Sequence, residues 1–327
     1  MKYDIITFGS ATRDIYLRSK KFSPVLSKDF PTGKAIQLGF GSKIEMAGMS
    51  FSTGGGGANA AVTFASQGLK AAYCGKIGND YFGDLIIKEL KNLKIDTAFV
   101  SRTREKSTNV SVILSYPGGD KTILVYRGAA DLFKIKDIPL NKIKNAKWFY
   151  SAPFSGKLAY LTEDLVNLAK RNKIKVAMNP GYNQLTLPQK TLKRILKKID
   201  ILILNQEEAS LLTGIPYRKE KEIFRKIDKL VPGICVMTKG REGVIVSDGE
   251  YLYKAAALKI KLVDTTGAGD SFNSGFLSSF IKTKDIPSAI QFGVANSAAC
   301  LQKLGAKQGL LSHGQSYKKV KIAKRRL

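Results

Sequence analysis

The chain has one histidine, His313, in 327 residues. A three-histidine zinc site or an HExxH motif therefore has nothing to be built from. A Ser-His-Asp or Cys-His mechanism would have to run through His313 alone. Cysteine is scarce too. Cys74, Cys235 and Cys300 are odd in number, far apart and set in apolar runs. They read as buried thiols of a reducing compartment, not as a disulfide framework. No stretch approaches the roughly 20 apolar residues of a membrane span. The opening residues carry only a short apolar run that ends at Gly9, so no signal peptide is expected. These absences predict a soluble, cytoplasmic protein with no membrane partner.

Acidic residues are also few, 26 against 54 basic ones, for a formal charge of +28. Such a charge raises a nucleic-acid-associated or regulatory reading. Lysine, however, supplies 42 of the 54 and is spread along the chain. Base-edge recognition favours the bidentate fork of arginine. The charge is therefore read as a solvated lysine surface. Nucleic-acid association is kept as the alternative from another class, resting on the acid-free segment 318–327. That segment is expected to be a frayed basic tail.

Near-continuous apolar runs at 5–9, 71–75, 148–151, 176–179, 201–205 and 234–238 alternate with amphipathic helical stretches. Runs of this kind mark strands covered on both faces, hence right-handed βαβ units and a mostly parallel α/β sheet. Residues from about 12 to 51 and from about 98 to 127 break the alternation and read as a small β lid. Val110–Leu114 and Thr122–Tyr126 flank Tyr116-Pro117-Gly118-Gly119-Asp120, a hairpin signal. A second hairpin is expected around Asp248-Gly249. The lid segments lie inside a single domain, residues 1–317.

Two glycine-rich strings carry the chemistry. Thr53-Gly54-Gly55-Gly56-Gly57-Ala58-Asn59 opens a helix, where glycine lets backbone approach a ligand. Its plain alternative is a flexible turn with tight helix packing. It is no Rossmann fingerprint, because Asn59 stands where the third glycine belongs, and no P-loop occurs. Asp264-Thr265-Thr266-Gly267-Ala268-Gly269-Asp270 leads directly into the helix carrying Phe272, Phe276 and Phe280. The N–H groups of that turn and the positive end of the helix dipole form a site for a transferring phosphoryl group, with the Asp270 carboxylate beside it. A helix cap is the plain reading of Asp270, and the two roles are compatible.

In this order and spacing the motifs resemble the ribokinase-like (PfkB-type) carbohydrate kinase family. The first signature runs from Gly54 through Asn59 to Gly68, Gly75, Gly78, Asp80 and Gly83, and the second from Asp264 to Asp270 with Gly275. Asn205-Gln206-Glu207-Glu208 matches the family's N-x-x-E element, and Thr238-Lys239-Gly240-Arg241-Glu242-Gly243 its T-x-G-x-x-G nucleotide loop. The resemblance implies the ribokinase-like three-layer α/β/α fold and phosphoryl transfer from ATP to a hydroxyl of a sugar, or of a nucleoside. It implies Asp270 as general base and Gly267, Ala268 and Gly269 as the anion hole. Asn205 and Glu208 would organise Mg²⁺ through water, although a helix cap and first-turn acid is their plain alternative. Thr238, Gly240 and Gly243 would line the nucleotide. Asn296 would neighbour the adenine or serve as a packing residue. Asp264 and Thr266 match positions that hold a monovalent cation, potassium, in some relatives. Asp14, Gly55, Gly56 and Asn59 match the positions that contact the acceptor. Ribokinases proper tend to carry lysine at the position of Gly56, which weakens a strict ribose assignment. Arg127 and Asn109 lie near the lid hairpin and read as polar surface. Lids of this family often pair, so a homodimer through the lid is an expectation.

Overall fold

The computed structural model describes residues 3–30, 32–116 and 121–327. Its strands are β1 (Tyr3–Phe8), β2 (Thr12–Arg18), β3 (Pro24–Leu26), β4 (Lys34–Ile36), β5 (Gly48–Gly54), β6 (Ala71–Gly78), β7 (Asp96–Thr103) and β8 (Asn109–Ser115). They continue as β9 (Lys121–Tyr126), β10 (Ala146–Ser151), β11 (Lys175–Met178), β12 (Ile201–Asn205), β13 (Ile234–Thr238), β14 (Val244–Ser247), β15 (Tyr251–Ala255) and β16 (Ile322–Arg326). The helices are α1 (Gly56–Ser66), α2 (Tyr81–Asn92), α3 (Leu140–Ile143), α4 (Leu161–Arg171), α5 (Tyr182–Leu185), α6 (Gln189–Leu196), α7 (Gln206–Thr213), α8 (Glu220–Asp228), α9 (Ala268–Thr283) and α10 (Ile286–Leu301).

Ten strands form the central sheet, in the order β16-β15-β14-β13-β12-β11-β10-β1-β6-β7. From β7 to β13 every pairing is parallel, and from β13 to β16 every pairing is antiparallel. Alternation along each strand sends neighbouring side chains to opposite faces. Ile6, Phe149, Val176 and Leu202 meet Leu165 of α4, Ile195 of α6 and Ile223 of α8 on one face. Ile5, Trp148, Ala177 and Ile203 meet Phe64 of α1, Phe276 of α9 and Ile290 of α10 on the other. Each of these large side chains contributes about 1.5–3 kcal/mol on burial. The result is three layers, helices on both faces of a mostly parallel sheet, as the apolar runs predict.

A second sheet, β5-β2-β8-β9, stands apart from the central one, with the short ribbon β3-β4 beside it. It is built from the segments expected as a lid, with one correction. Residues 98–103 belong to β7 at the edge of the central sheet. The predicted hairpin pairs β8 with β9 in antiparallel register, and its turn, 117–120, lies outside the described residues. The hairpin of β14 and β15 forms as expected.

The C-terminal segment needs a larger correction. It is not frayed: Ile322–Arg326 pairs along the full length of β15. Lys324 Nζ lies 3.8 Å from the ring centre of Tyr251. A strand of lysine and arginine at a sheet edge shows no apolar alternation, yet charge is how edge strands are kept from pairing further. Among the described residues, no helix is long and apolar enough to cross a membrane.

Candidate active site

Parallel strands place the loops after their C-terminal ends on one rim of the sheet, where α/β proteins build their sites. Gly9 and Ser10 follow β1, Ala152 and Pro153 follow β10, and Asn205 and Thr238 end β12 and β13. Helices α1 and α9 both start toward this rim. The link between them is direct: Asn59 Nδ2, in the first turn of α1, donates to Asp270 Oδ2 at 2.8 Å. Asp270 sits in the first turn of α9. Loss of water pushes its carboxyl above the ordinary carboxylate range, and the Asn59 bond partly offsets this.

The turn before Asp270 is fixed from beneath. Gly267 is left-handed, at φ 76°, and a side chain there would run into Ala306. Ser271 Oγ donates to the carbonyls of Gly267 at 2.7 Å and Ala268 at 3.0 Å. Ser297 Oγ of α10 donates to Ala268 as well, at 3.0 Å. The carbonyls are thus tied inward, while the first-turn N–H groups of α9 have no intrahelical acceptor. Over Gly269 there is open space: a Cβ there would meet nothing within 4 Å. This arrangement suits an anion placed over the turn.

The first glycine run has a different job. A Cβ on Gly54 would overlap Asp14 Oδ2, and one on Gly56 would come 3.5 Å from Asp270 Oδ1 and 3.2 Å from the Ala152 methyl. Gly55, at φ +94°, caps α1 against Ser10. The glycines make room for two carboxylates and for close backbone packing. Asp14 lies on β2 of the lid, paired with Ser52 of β5 and Ser111 of β8. It is buried, and burial pushes its carboxyl up to about 6, although a Ser111 hydrogen bond and the Lys307 and Arg13 cations pull it down.

Asn205 and Glu208 form a capping box: the Glu208 N–H donates to Asn205 Oδ1 and the Asn205 N–H to Glu208 Oε2, both at 2.8 Å. The plain reading of the pair is therefore realised at the start of α7. Burial raises the Glu208 carboxyl. The pair still supplies hard oxygen donors of the kind hydrated Mg²⁺ accepts, and Glu208 keeps its second oxygen outside the box. Among the described residues no group of three or more His, Cys, Asp or Glu could hold a metal. Thr238 faces Asn205 across the sheet. Gly240 has open space beside it, whereas a Cβ on Gly243 would strike the Ala255 carbonyl of β15.

Of the two readings of Asn296, packing is the one its contacts favour. It is fully buried, its Nδ2 donates to the Ser271 carbonyl at 2.8 Å, and its Oδ1 accepts from the Leu311 N–H at 2.9 Å. Both polar ends bond protein, and it braces α9. Asn109 is likewise buried, with Oδ1 accepting from the Ala130 N–H at 3.1 Å, while Arg127 stays exposed. Asp264 and Thr266 come together as predicted, but with a partner the sequence does not announce. Lys121 Nζ of β9 donates to Asp264 Oδ1 at 2.8 Å and to the Thr266 hydroxyl. A lysine ammonium thus lies on the two residues expected to hold a monovalent cation. Two more residues went unnoticed in the sequence. Tyr150 of β10 is fully buried, and the Asp270 charge helps push its phenol up. Lys307 pairs with Glu89 behind Asp14. Neither belongs to a motif, so only three-dimensional proximity reveals them.

Residues 3–312 match the family model described as pfkB family carbohydrate kinase. A ribokinase of Lactococcus lactis is 32% identical over 268 residues, covering 79% of this chain and 82% of that protein. A nucleoside kinase of Methanothermobacter thermautotrophicus is 24% identical over 270 residues, 81% of this chain and 84% of that one. The structure of Arabidopsis thaliana ribokinase complexed with ribose and ATP superposes with a TM-score of 0.77, at 23% identity, over 95% of this chain and 96% of that one.

Proposed function

The chain belongs to the pfkB family of carbohydrate kinases, a phosphotransferase acting on an alcohol group, and we propose that it moves the γ-phosphate of ATP to a sugar hydroxyl through Asp270. One observation carries this reading: the Asp270 carboxylate stands at the mouth of the α9 turn, held by Asn59 from the other helix start. The acceptor hydroxyl gives its proton to Asp270 Oδ1 as its oxygen bonds the γ-phosphorus, and the bond from that phosphorus to the β,γ-bridging oxygen breaks to release ADP. Such a base supplies roughly 10²–10⁴-fold. Loss of water raises the Asp270 carboxyl, which strengthens the carboxylate as a base when it is ionised. The N–H groups of Gly267, Ala268 and Gly269 face the charge that grows on the transferring phosphoryl. Their work is electrostatic, since this chemistry asks little covalent help of the protein.

Asp14 accepts hydrogen bonds from the acceptor's other hydroxyls, and the backbone at Gly55 and Gly56 approaches the sugar ring, with Asn59 fixing the base. The loop holding Thr238, Gly240 and Gly243 receives the nucleotide. Asn205 and Glu208 hold Mg²⁺ through water, and the ion supplies charge neutralisation of the phosphates when bound. A nucleoside is the second acceptor class, favoured by the nucleoside kinase match. The exposed Met49, Phe51, Leu124 and Val125 of the lid support a homodimer paired through that sheet. Buried free thiols and the use of ATP support a cytoplasmic setting.

The test is ADP release against a panel of sugars and nucleosides at saturating Mg²⁺ and ATP. Acceptor-dependent release with one sugar class is expected. Turnover confined to nucleosides would transfer the assignment to the second reading, and no acceptor-dependent release would overturn both.

A further inference from the structure

We propose that the lid-borne Lys121 ammonium takes over the position of a monovalent cation beside the anion-hole turn, so that lid closure completes the turn without a free cation. The proposal rests on the kinase reading above. Asp264 Oδ1 accepts from Lys121 Nζ at 2.8 Å, from the Thr266 N–H at 3.0 Å and from the Thr266 hydroxyl at 2.8 Å. Asp264 Oδ2 accepts from the Gly305 N–H at 2.9 Å. Three donors crowd Oδ1, whose two lone pairs they more than fill, while Oδ2 carries one. A second cation at this place would also stand against a fixed ammonium.

The pair is well shielded: the side chains of Lys121 and Asp264 are 19% and 6% exposed. Removing one partner of a shielded pair leaves the other charge unpaired, a heavy loss. Its position gives the contact meaning. Lys121 is the first residue of β9 and pairs with Ser115 of β8, so it belongs to the lid edge. Asp264 and Thr266 lead directly into Gly267 and α9. The ammonium is a positioning residue: it holds Thr266, and through it the N–H groups of the turn.

The test compares wild-type protein with Lys121→Met in potassium-free buffer, with potassium or ammonium chloride added, and with choline chloride as the ionic-strength control. Wild-type turnover is expected to be the same in all four. Lys121→Met is expected to lose kcat by about tenfold or more and to recover most of it with potassium or ammonium, but not with choline. Lys121→Arg keeps the cation independence. Thermal melting without substrate forms a second arm. Potassium raises the melting temperature of Lys121→Met above its value in choline and leaves the wild type unmoved. This arm needs no turnover, so it decides the proposal even if the wild type phosphorylates no acceptor and the kinase reading fails. Several-fold activation of the wild type by potassium overturns the proposal. So does a folded Lys121→Met that is fully active without potassium, one that stays impaired in every salt, or one whose melting ignores potassium.

Discussion

Around Gly267 and Asp270 the backbone is tied down on every side, by Ser271, by Ser297 and by Asn296 beneath. The lid is built the other way. Its strands leave Met49, Phe51, Leu124 and Val125 exposed, and it touches the turn through Lys121 and the site through Asp14. A turn that must meet growing negative charge gains from being rigid before the reaction, because nothing has to reorganise during it. A sheet that must admit and release an acceptor gains from few fixed contacts. In the proposed reading, phosphoryl transfer belongs to the buried helix start, and acceptor choice to the sheet above it.

That division can be broken by mutation. Asp270→Asn strikes the turn and is expected to lower kcat about 10³-fold in a protein that melts no lower than the wild type. A variant with near-normal kcat would remove the base from the account. Gly54→Ala strikes the lid side, because the new methyl must displace the Asp14 carboxylate. It is expected to lower kcat/KM for the acceptor about 10²-fold while the KM for ATP holds. A loss shared by both substrates would blur the division. Acid should separate the halves more gently. Asp14, held up at about 6, must be ionised to accept hydroxyl bonds. Acceptor kcat/KM should fall below about pH 6, close to tenfold per pH unit. In Asp14→Asn that limb should disappear, leaving only the contribution of Asp270. The same burial destabilises the fold. Asp14 is protonated in both states below about pH 4, and its buried charge costs the folded state above about pH 6. Asp14→Asn should therefore melt a few degrees higher than the wild type at pH 7.5, with the gap closing near pH 4. The smallest effect is expected from deleting residues 322–327. Losing β16 should lower the melting temperature by a few degrees and leave kcat unchanged.

The sequence revealed the turn far better than the lid. Glycine before an amphipathic helix and an acid in its first turn are local signals, and they carry Gly267 to Asp270 without any tertiary information. The central strands were equally plain, because burial on both faces leaves runs such as Ile201–Asn205 almost wholly apolar. Lys121, Lys307 and Tyr150 were invisible. Each matters only through a partner more than fifty residues away, and a lysine in a chain of charge +28 carries no distinguishing mark. Asn296 shows the opposite case. From sequence it reads equally as a ligand neighbour or a packing residue, and only its two hydrogen bonds favour packing. The segment after Tyr317 misled through composition, since its strand is stabilised by partners in β15 and not by its own apolar pattern.

The most direct test of the account follows the phosphoryl group itself. Wild-type protein and Asp270→Asn are incubated with γ-labelled ATP, Mg²⁺ and the acceptor that supports the fastest ADP release, and the label in the acceptor is measured over time. The account predicts acceptor labelled in step with ADP by the wild type, and label from Asp270→Asn slower by about 10³-fold at unchanged ATP affinity. Label appearing only as inorganic phosphate, or transferred equally well by Asp270→Asn, would contradict it.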